Sequence, residues 1–201
     1  MVEETKTLLD SGEVIAGIIG AFAATFFSYF VDWLKNYKKN ESIRNIILLD
    51  LDIQIGYLNG FMVEYDKILE SLKNSKYIED TKNNNIIKLM TFTFSDNVYK
   101  SNTMIEYHEA FGDIIFINFL LTYEGIILIK KNPPDEMWIK FKDDFTKNFN
   151  SKVNDKDKGR IELEERHCRI IENQLELCEV SLNQIGTLKN EIKNLGIEAY
   201  Y

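Results

Sequence analysis

Between Val14 and Val31 the chain carries no charged residue, in the run VIAGIIGAFAATFFSYFV. Eighteen helical residues at 1.5 Å each extend about 27 Å, close to the roughly 30 Å of a bilayer core. A buried helix of a soluble core would need protein on every side of such a run. A secretory signal peptide would begin with positive charge and end at small residues. Here Glu3, Glu4, Asp10 and Glu13 precede the run, and it ends in aromatics. The expectation is a membrane span over about 14–34, with Trp33 and Leu34 extending the apolar reach and Tyr29 and Trp33 at headgroup level.

The flanks predict orientation. Lys6 and four acids lie ahead of the span; Lys35, Lys38, Lys39 and Arg44 lie behind it. Positive residues stay cytoplasmic, which puts the N-terminus outside and the rest of the chain in the cytoplasm of a single-pass protein of the cell membrane. Residues 1–40 then form a tail and anchor, and 41–201 a cytoplasmic domain. Within the span Ala16, Gly20, Ala24 and Ser28 recur every four residues, with Gly17, Ala21 and Thr25 beside them. Small side chains at that spacing let two helix backbones approach in lipid, and are also common in spans generally. Self-association through this face is one expectation; a span with no such contact is the other.

Composition narrows the partners. With 24 Lys+Arg against 32 Asp+Glu the chain is acidic, and nucleic acid, which needs a basic face, is not expected. Only 2 prolines in 201 residues favour long helices over sheet. Cys168 and Cys178 on one helix would lie about 15 Å apart, too far for a disulfide, and read as small apolar core residues in a reducing compartment.

Beyond the anchor the pattern is helical throughout. Glu41 or Ser42 can open a helix to about Asn74, with Ile43, Ile47, Leu51, Leu58, Met62, Tyr65, Leu69 and Leu72 on one stripe. Asn74–Asn85 reads as a solvent loop, and Ile86–Phe94 as a short helix or an extended turn. Ser95 or Asp96 could cap a helix that ends before Gly112. Ile114–Ile129 is apolar enough to be weighed as a second span. Sixteen residues suit a buried helix better, and Glu124 would cost about 2.5–3.5 kcal/mol near a bilayer centre. A second crossing would also put Lys130 and Lys131 outside. It is therefore expected as the central helix of a soluble bundle, ended by Pro133 and Pro134. Pro134–Asn150 should turn Met137, Trp138, Phe141, Phe145 and Phe149 inward, and Asn154–Gly159 reads as a charged turn. In the last helix Ile161, Cys168, Ile171, Leu175, Cys178, Leu182, Ile185, Ile192 and Leu195 alternate three and four apart. That stripe fits a coiled-coil seam or a bundle helix; a partner of matching length after Ser42 favours the bundle. The predicted class is all-α, an N-terminal transmembrane helix followed by a bundle of four or five long helices.

Catalytic motifs are missing from this pattern. There is no GxxxxGK[ST], no GxGxxG after a strand and no GxSxG. Glu164-x-x-His167 has the spacing of a di-iron half-site, but Ile105 stands three before His108, so the required second copy is absent. No catalytic, cofactor or metal residues are assigned, no cofactor is expected, and both histidines are placed at the surface or at helix ends. Glu124 can reach solvent at the helix edge, pair with Arg44, Arg160 or Arg169, or stay neutral at a raised pKa.

The order of apolar span, Lys/Arg cluster, IRNIILLDLD at Ile43–Asp52, and a helical domain containing Asn97-Val98-Tyr99 and Tyr123-Glu124-Gly125-Ile126 resembles a loose class of small, mostly uncharacterised proteins of prokaryotes and their viruses. The resemblance is one of layout and implies a one-span anchor with a cytoplasmic helical bundle. It implies nothing about catalysis. The expected function is that of a membrane-tethered binding or scaffold protein, not an enzyme, meeting membrane lipid and a protein partner at the cytoplasmic face. The alternative is a self-assembling membrane effector or small channel-like protein, a homo-oligomer.

Overall fold

The structure, a computed structural model, describes residues 11–74, 102–150 and 156–198. All regular structure among them is α-helix: α1 (Ser11–Lys73), α2 (Met104–Phe111), α3 (Asp113–Lys130), α4 (Pro134–Asn150) and α5 (Lys156–Glu198). The all-α class, a long apolar N-terminal helix leading into a bundle, is what the sequence predicts. The expected features at 75–101, including the Ser95 or Asp96 cap, lie outside the described residues.

α1 is one helix of 63 residues, about 94 Å long. The sequence placed a connection after Lys35 and a fresh start at Glu41 or Ser42, and the structure corrects this. Lysine, asparagine and tyrosine mark the stretch as solvated, but they do not break a helix, and no Gly or Pro stands between Gly20 and Gly56. From Ile43 onward α1 buries Ile47, Leu51, Leu58, Phe61, Tyr65, Ile68 and Leu72 along one face.

α5 runs antiparallel to this part of α1. Lys189 pairs with Asp52 near one end, and Lys73 with Glu172 at 2.8 Å near the other. The third leg of the bundle is α2, α3 and α4 in succession, climbing alongside α1. α2 sits against Lys39–Arg44, Tyr123 of α3 meets Asp50, and the Asn132 carbonyl accepts from the Tyr65 hydroxyl at 2.6 Å. Tyr107, Phe111, Phe119 and Tyr123 form its aromatic centre, with Phe119 lying 4.7–5.3 Å from each of the other rings. Gly112 joins α2 to α3 at φ 73°, a conformation that glycine adopts without strain. Its N–H closes α2 on the His108 carbonyl, and its own carbonyl accepts the Phe116 N–H that opens α3. Pro134 opens α4 at the first helical position, where its missing N–H costs nothing.

Several inward assignments are corrected. α5 begins at Lys156, so most of the expected charged turn at Asn154–Gly159 is helical. Ile161 is exposed; Ile171, Cys178, Ile185 and Ile192 are buried and Cys168, Leu175, Leu182 and Leu195 pack against the core as predicted, with Leu163, His167, Ser181 and Leu188 buried beside them. His167, expected at the surface or a helix end, is a core residue in mid-helix. α3 is not the enclosed centre of the bundle either: Phe119, Tyr123, Ile126 and Ile129 are buried, while Ile114, Ile117, Leu121 and Leu128 face outward. In α4, Met137, Trp138 and Phe141 are buried and Phe145 packs against the core, as predicted; the Phe149 side chain lies outside those described.

One row of the α5 stripe is polar. Arg160, His167, Gln174 and Ser181 follow each other seven apart, and each has a buried polar atom without a hydrogen-bond partner. Each such atom costs about 1–3 kcal/mol relative to a satisfied one, so this row narrows the alternatives for register rather than adding stability. At Ser181 α3 and α5 lie close: a Cβ on Gly125 of α3 would meet the Ser181 hydroxyl at 3.0 Å.

Candidate functional site

The part of the chain that the bundle does not use is the first third of α1. Every described side chain from Gly17 to Trp33 is exposed, Phe22 and Tyr29 to about three-quarters of their area. Leu34 is the first to be half covered, and Ile43 the first to be buried. An apolar helix with no protein around it is the opposite of a core helix. This is the one helix among the described residues that is long and apolar enough to cross a membrane.

Its two sides differ. Phe26 and Phe30 stack at 6.4 Å, Phe30 and Trp33 at 5.9 Å, Trp33 and Tyr37 at 5.8 Å, an aromatic ladder at helical spacing. Roughly opposite lie Gly20, Ala24 and Ser28 of the predicted association face, all exposed; the Ala16 side chain lies outside those described. A Cβ on Gly17 or Gly20 would meet nothing within 4 Å. Thr25 donates to the Ala21 carbonyl at 2.8 Å, which satisfies its hydroxyl inside the helix. The small-residue side is legible in the sequence; the ladder shows only in the spacing 26, 30, 33, 37, which considering Tyr29 and Trp33 singly does not reveal.

The junction between apolar helix and bundle is clasped by α2. Lys39 pairs with Glu106 at 2.8 Å, Asn40 donates to the Glu109 carbonyl at 3.3 Å, and Arg44 Nε donates to the Ala110 carbonyl at 2.7 Å. Arg44 thereby satisfies an end carbonyl of α2. Thr103 and Glu106 close a capping box on its first turn. The bond to Lys39 and the Thr103 N–H hold the Glu106 carboxyl below the usual range, and Glu106 raises Lys39 in turn. Of the four cations behind the apolar run, two are thus also structural; Lys35 lies 3.7 Å from Asp32 and Lys38 is exposed.

The remaining candidates disperse. Glu124 is exposed at the edge of α3, the first of its three alternatives. Glu164 lies 4.0 Å from Arg160, while His167 packs edge-on against Phe141 and lies 3.6 Å from Asp144, so the Glu164-x-x-His167 pattern is not a joint site. No cluster of three or more His, Cys, Asp or Glu that could hold a metal occurs among the described residues. A groove between α3 and α5 is lined by Asn118, Leu121, Thr122, Val180, Asn183, Gln184 and Thr187, amides, hydroxyls and aliphatics without an acid–base pair. Cys178 is buried and its thiol is pushed up to about 12, chiefly by desolvation; burial also raises Cys168, which is half-exposed. With thiol reagent at pH 8 the native protein is expected to react slowly at Cys168 and to show Cys178 only after denaturant is added. Rapid modification of both thiols in the native state would contradict this packing.

Comparison with protein-family models, with curated proteins and with solved structures finds no match to this chain.

Proposed function

We propose that the chain is a membrane-tethered helical binding protein: residues 14–34 cross the bilayer once, the N-terminus faces outward, and the bundle holds a protein partner at the cytoplasmic face. The observation that carries this reading is the apolar third of α1, whose described side chains are exposed and which runs without a break into a packed body. Lys35, Lys38, Lys39 and Arg44 lie at its inner end, as a cytoplasmic flank would require. For the partner, the outward side of α3 offers Ile114, Ile117, Leu121 and Leu128 at three-to-four spacing, the kind of apolar patch that protein contacts use.

The test is extraction. Full-length protein should sediment with membranes through alkaline carbonate and enter solution only with detergent. Introducing Ala21→Arg with Ala24→Arg, at about 2.5–3.5 kcal/mol each near the bilayer centre, should release it. Wild-type protein that stays monodisperse in plain buffer would defeat the proposal.

A second reading, a self-assembling membrane effector or small channel-like protein, is favoured by the two-sided span, small residues on one side and aromatics on the other. Leakage of expressing cells that depends on residues 14–31 would select it over tethering.

A further inference from the structure

We infer that α1 carries a docking face for a second copy of this chain, and that two copies stand side by side and parallel in the same membrane. The inference rests on the tethered reading above.

In the bundle, the side of α1 turned away from the core is not wholly polar: beside the exposed Asn45, Asp52 and Asn59 runs an apolar stripe. Ile46, Leu49, Ile53 and Val63 remain 44–65% exposed at helical spacing. At the base of this stripe the surface is hollowed between Lys38, Ser42, Ile46 and Leu49. Gly56 and Gly60 lie on the same stripe, four apart. A mid-helix glycine costs about 1 kcal/mol relative to alanine, so it calls for a packing reason. Among the described residues a Cβ at Gly56 would meet nothing within 4 Å. Close approach by a helix of a second copy would supply the reason.

Lipid is excluded as the cover. α1 is unbroken, so Ile46 lies about 22 Å past Val31 along the axis and Val63 about 48 Å, beyond the headgroup layer. The face stands clear of lipid, and the helix's own phase favours an identical chain as its cover. Stepping from Gly20 through Ala24, Ser28, Val31, Lys35, Lys38 and Ser42 to Ile46 or Leu49, then Ile53, Gly56, Gly60 and Val63, takes twelve turns for 43 residues, about 3.6 per turn. The buried row from Ile43 to Leu72 keeps the same pitch, eight turns in 29 residues. The small-residue side of the span and the apolar stripe of the bundle are therefore one straight face. Copies anchored in one membrane with one orientation present it at equal heights, and a two-fold axis along the helices sets each residue against itself, Leu49 facing the partner's Leu49. A pitch near 3.6 asks for almost no supercoiling, so the contact can run the length of both helices. Lys35 and Lys38 interrupt the face at headgroup level, where water and lipid phosphate can solvate them, and the uncharged Asn45 borders it in the bundle.

Site-specific cross-linking of the full-length chain in membranes tests this. In a Cys168→Ser background, Leu49→Cys and Ile53→Cys should give a covalent dimer with a short bis-maleimide. Asp66→Cys, exposed on the same helix about a third of a turn away, and Ile117→Cys on α3 should give background only. Gly56→Leu added to Leu49→Cys should abolish the dimer band while leaving the thermal transition of the chain no lower than before. Protein in the membrane fraction with no dimer at positions 49 and 53, or with equal yield at 66 or 117, overturns the inference and leaves the tether intact. Protein in the soluble fraction overturns the tether and with it the parallel pair; the fraction in which the chain is found tells the two failures apart.

Discussion

Phe119→Ala is expected to cost the protein about 3–5 kcal/mol, the range for truncating a fully buried phenylalanine. Phe119 is wholly buried, and its ring touches Tyr107 and Phe111 of α2 and Tyr123 within α3. It is a residue through which α2 is held to α3. At about 2–4 °C per kcal/mol for a chain of this size, the melting temperature in detergent should fall by roughly 6–20 °C. Hydrogen exchange should show 104–111 opening first, since α2 has only 8 residues and little helical stability of its own. A loss below about 1 kcal/mol would mean that the aromatic centre is not packed as described.

The second large effect concerns Asp50, a buried carboxylate in the middle of the bundle. It accepts the Tyr123 hydroxyl at 2.5 Å, and the Gln54 amide lies 3.4 Å from both its oxygens. Tyr123→Phe removes the strong donor and leaves a charge buried with only a long, weak one. A cost of about 3–5 kcal/mol is expected. Asp50→Ala leaves the tyrosine hydroxyl unpaired and should cost about 1–3 kcal/mol beyond the lost packing. Because each single change strands a partner, Tyr123→Phe combined with Asp50→Ala should be less damaging than the sum of the two. A double-mutant cycle in urea measures this, and strict additivity would show that the bond contributes nothing. Burial first, and Asp50 second, push the Tyr123 hydroxyl well above the ordinary tyrosine range. A raised acid stabilises the fold below its unfolded pKa, so this contribution is complete at neutral pH. It is lost only as pH climbs past about 10.

The class, the long apolar start and the pairing of the α1 body with α5 were legible because each rests on a sustained period. What sequence reasoning misplaced has identifiable causes. The break expected at Lys35–Asn40 confused a change of solvent with a change of backbone: charge alters what surrounds a helix, and only Gly, Pro or a cap ends it. On α5 the search counted apolar residues, so it took in Ile161 and passed over His167, Gln174 and Ser181, which occupy inward positions as polar side chains. Its true signal was the seven-residue repeat, which is indifferent to polarity. Thr103-x-x-Glu106 is a capping box in plain view, overlooked in favour of Ser95 and Asp96. Glu124 was assigned no role, and its exposed position needs none. The Asp50–Tyr123 bond could not be read in advance, because 73 residues separate its ends and no local pattern joins them.

The continuity of α1 also gives the protein a mechanical property. On the proposed anchoring, Lys73 stands about 63 Å beyond Val31 on a stiff rod fixed at its base. Spans tilt by up to about 40° to suit the thickness of their bilayer. A change of only about 20° would sweep the far end sideways by roughly 20 Å. Where in the cytosol the bundle reaches would then depend on the lipid around its foot.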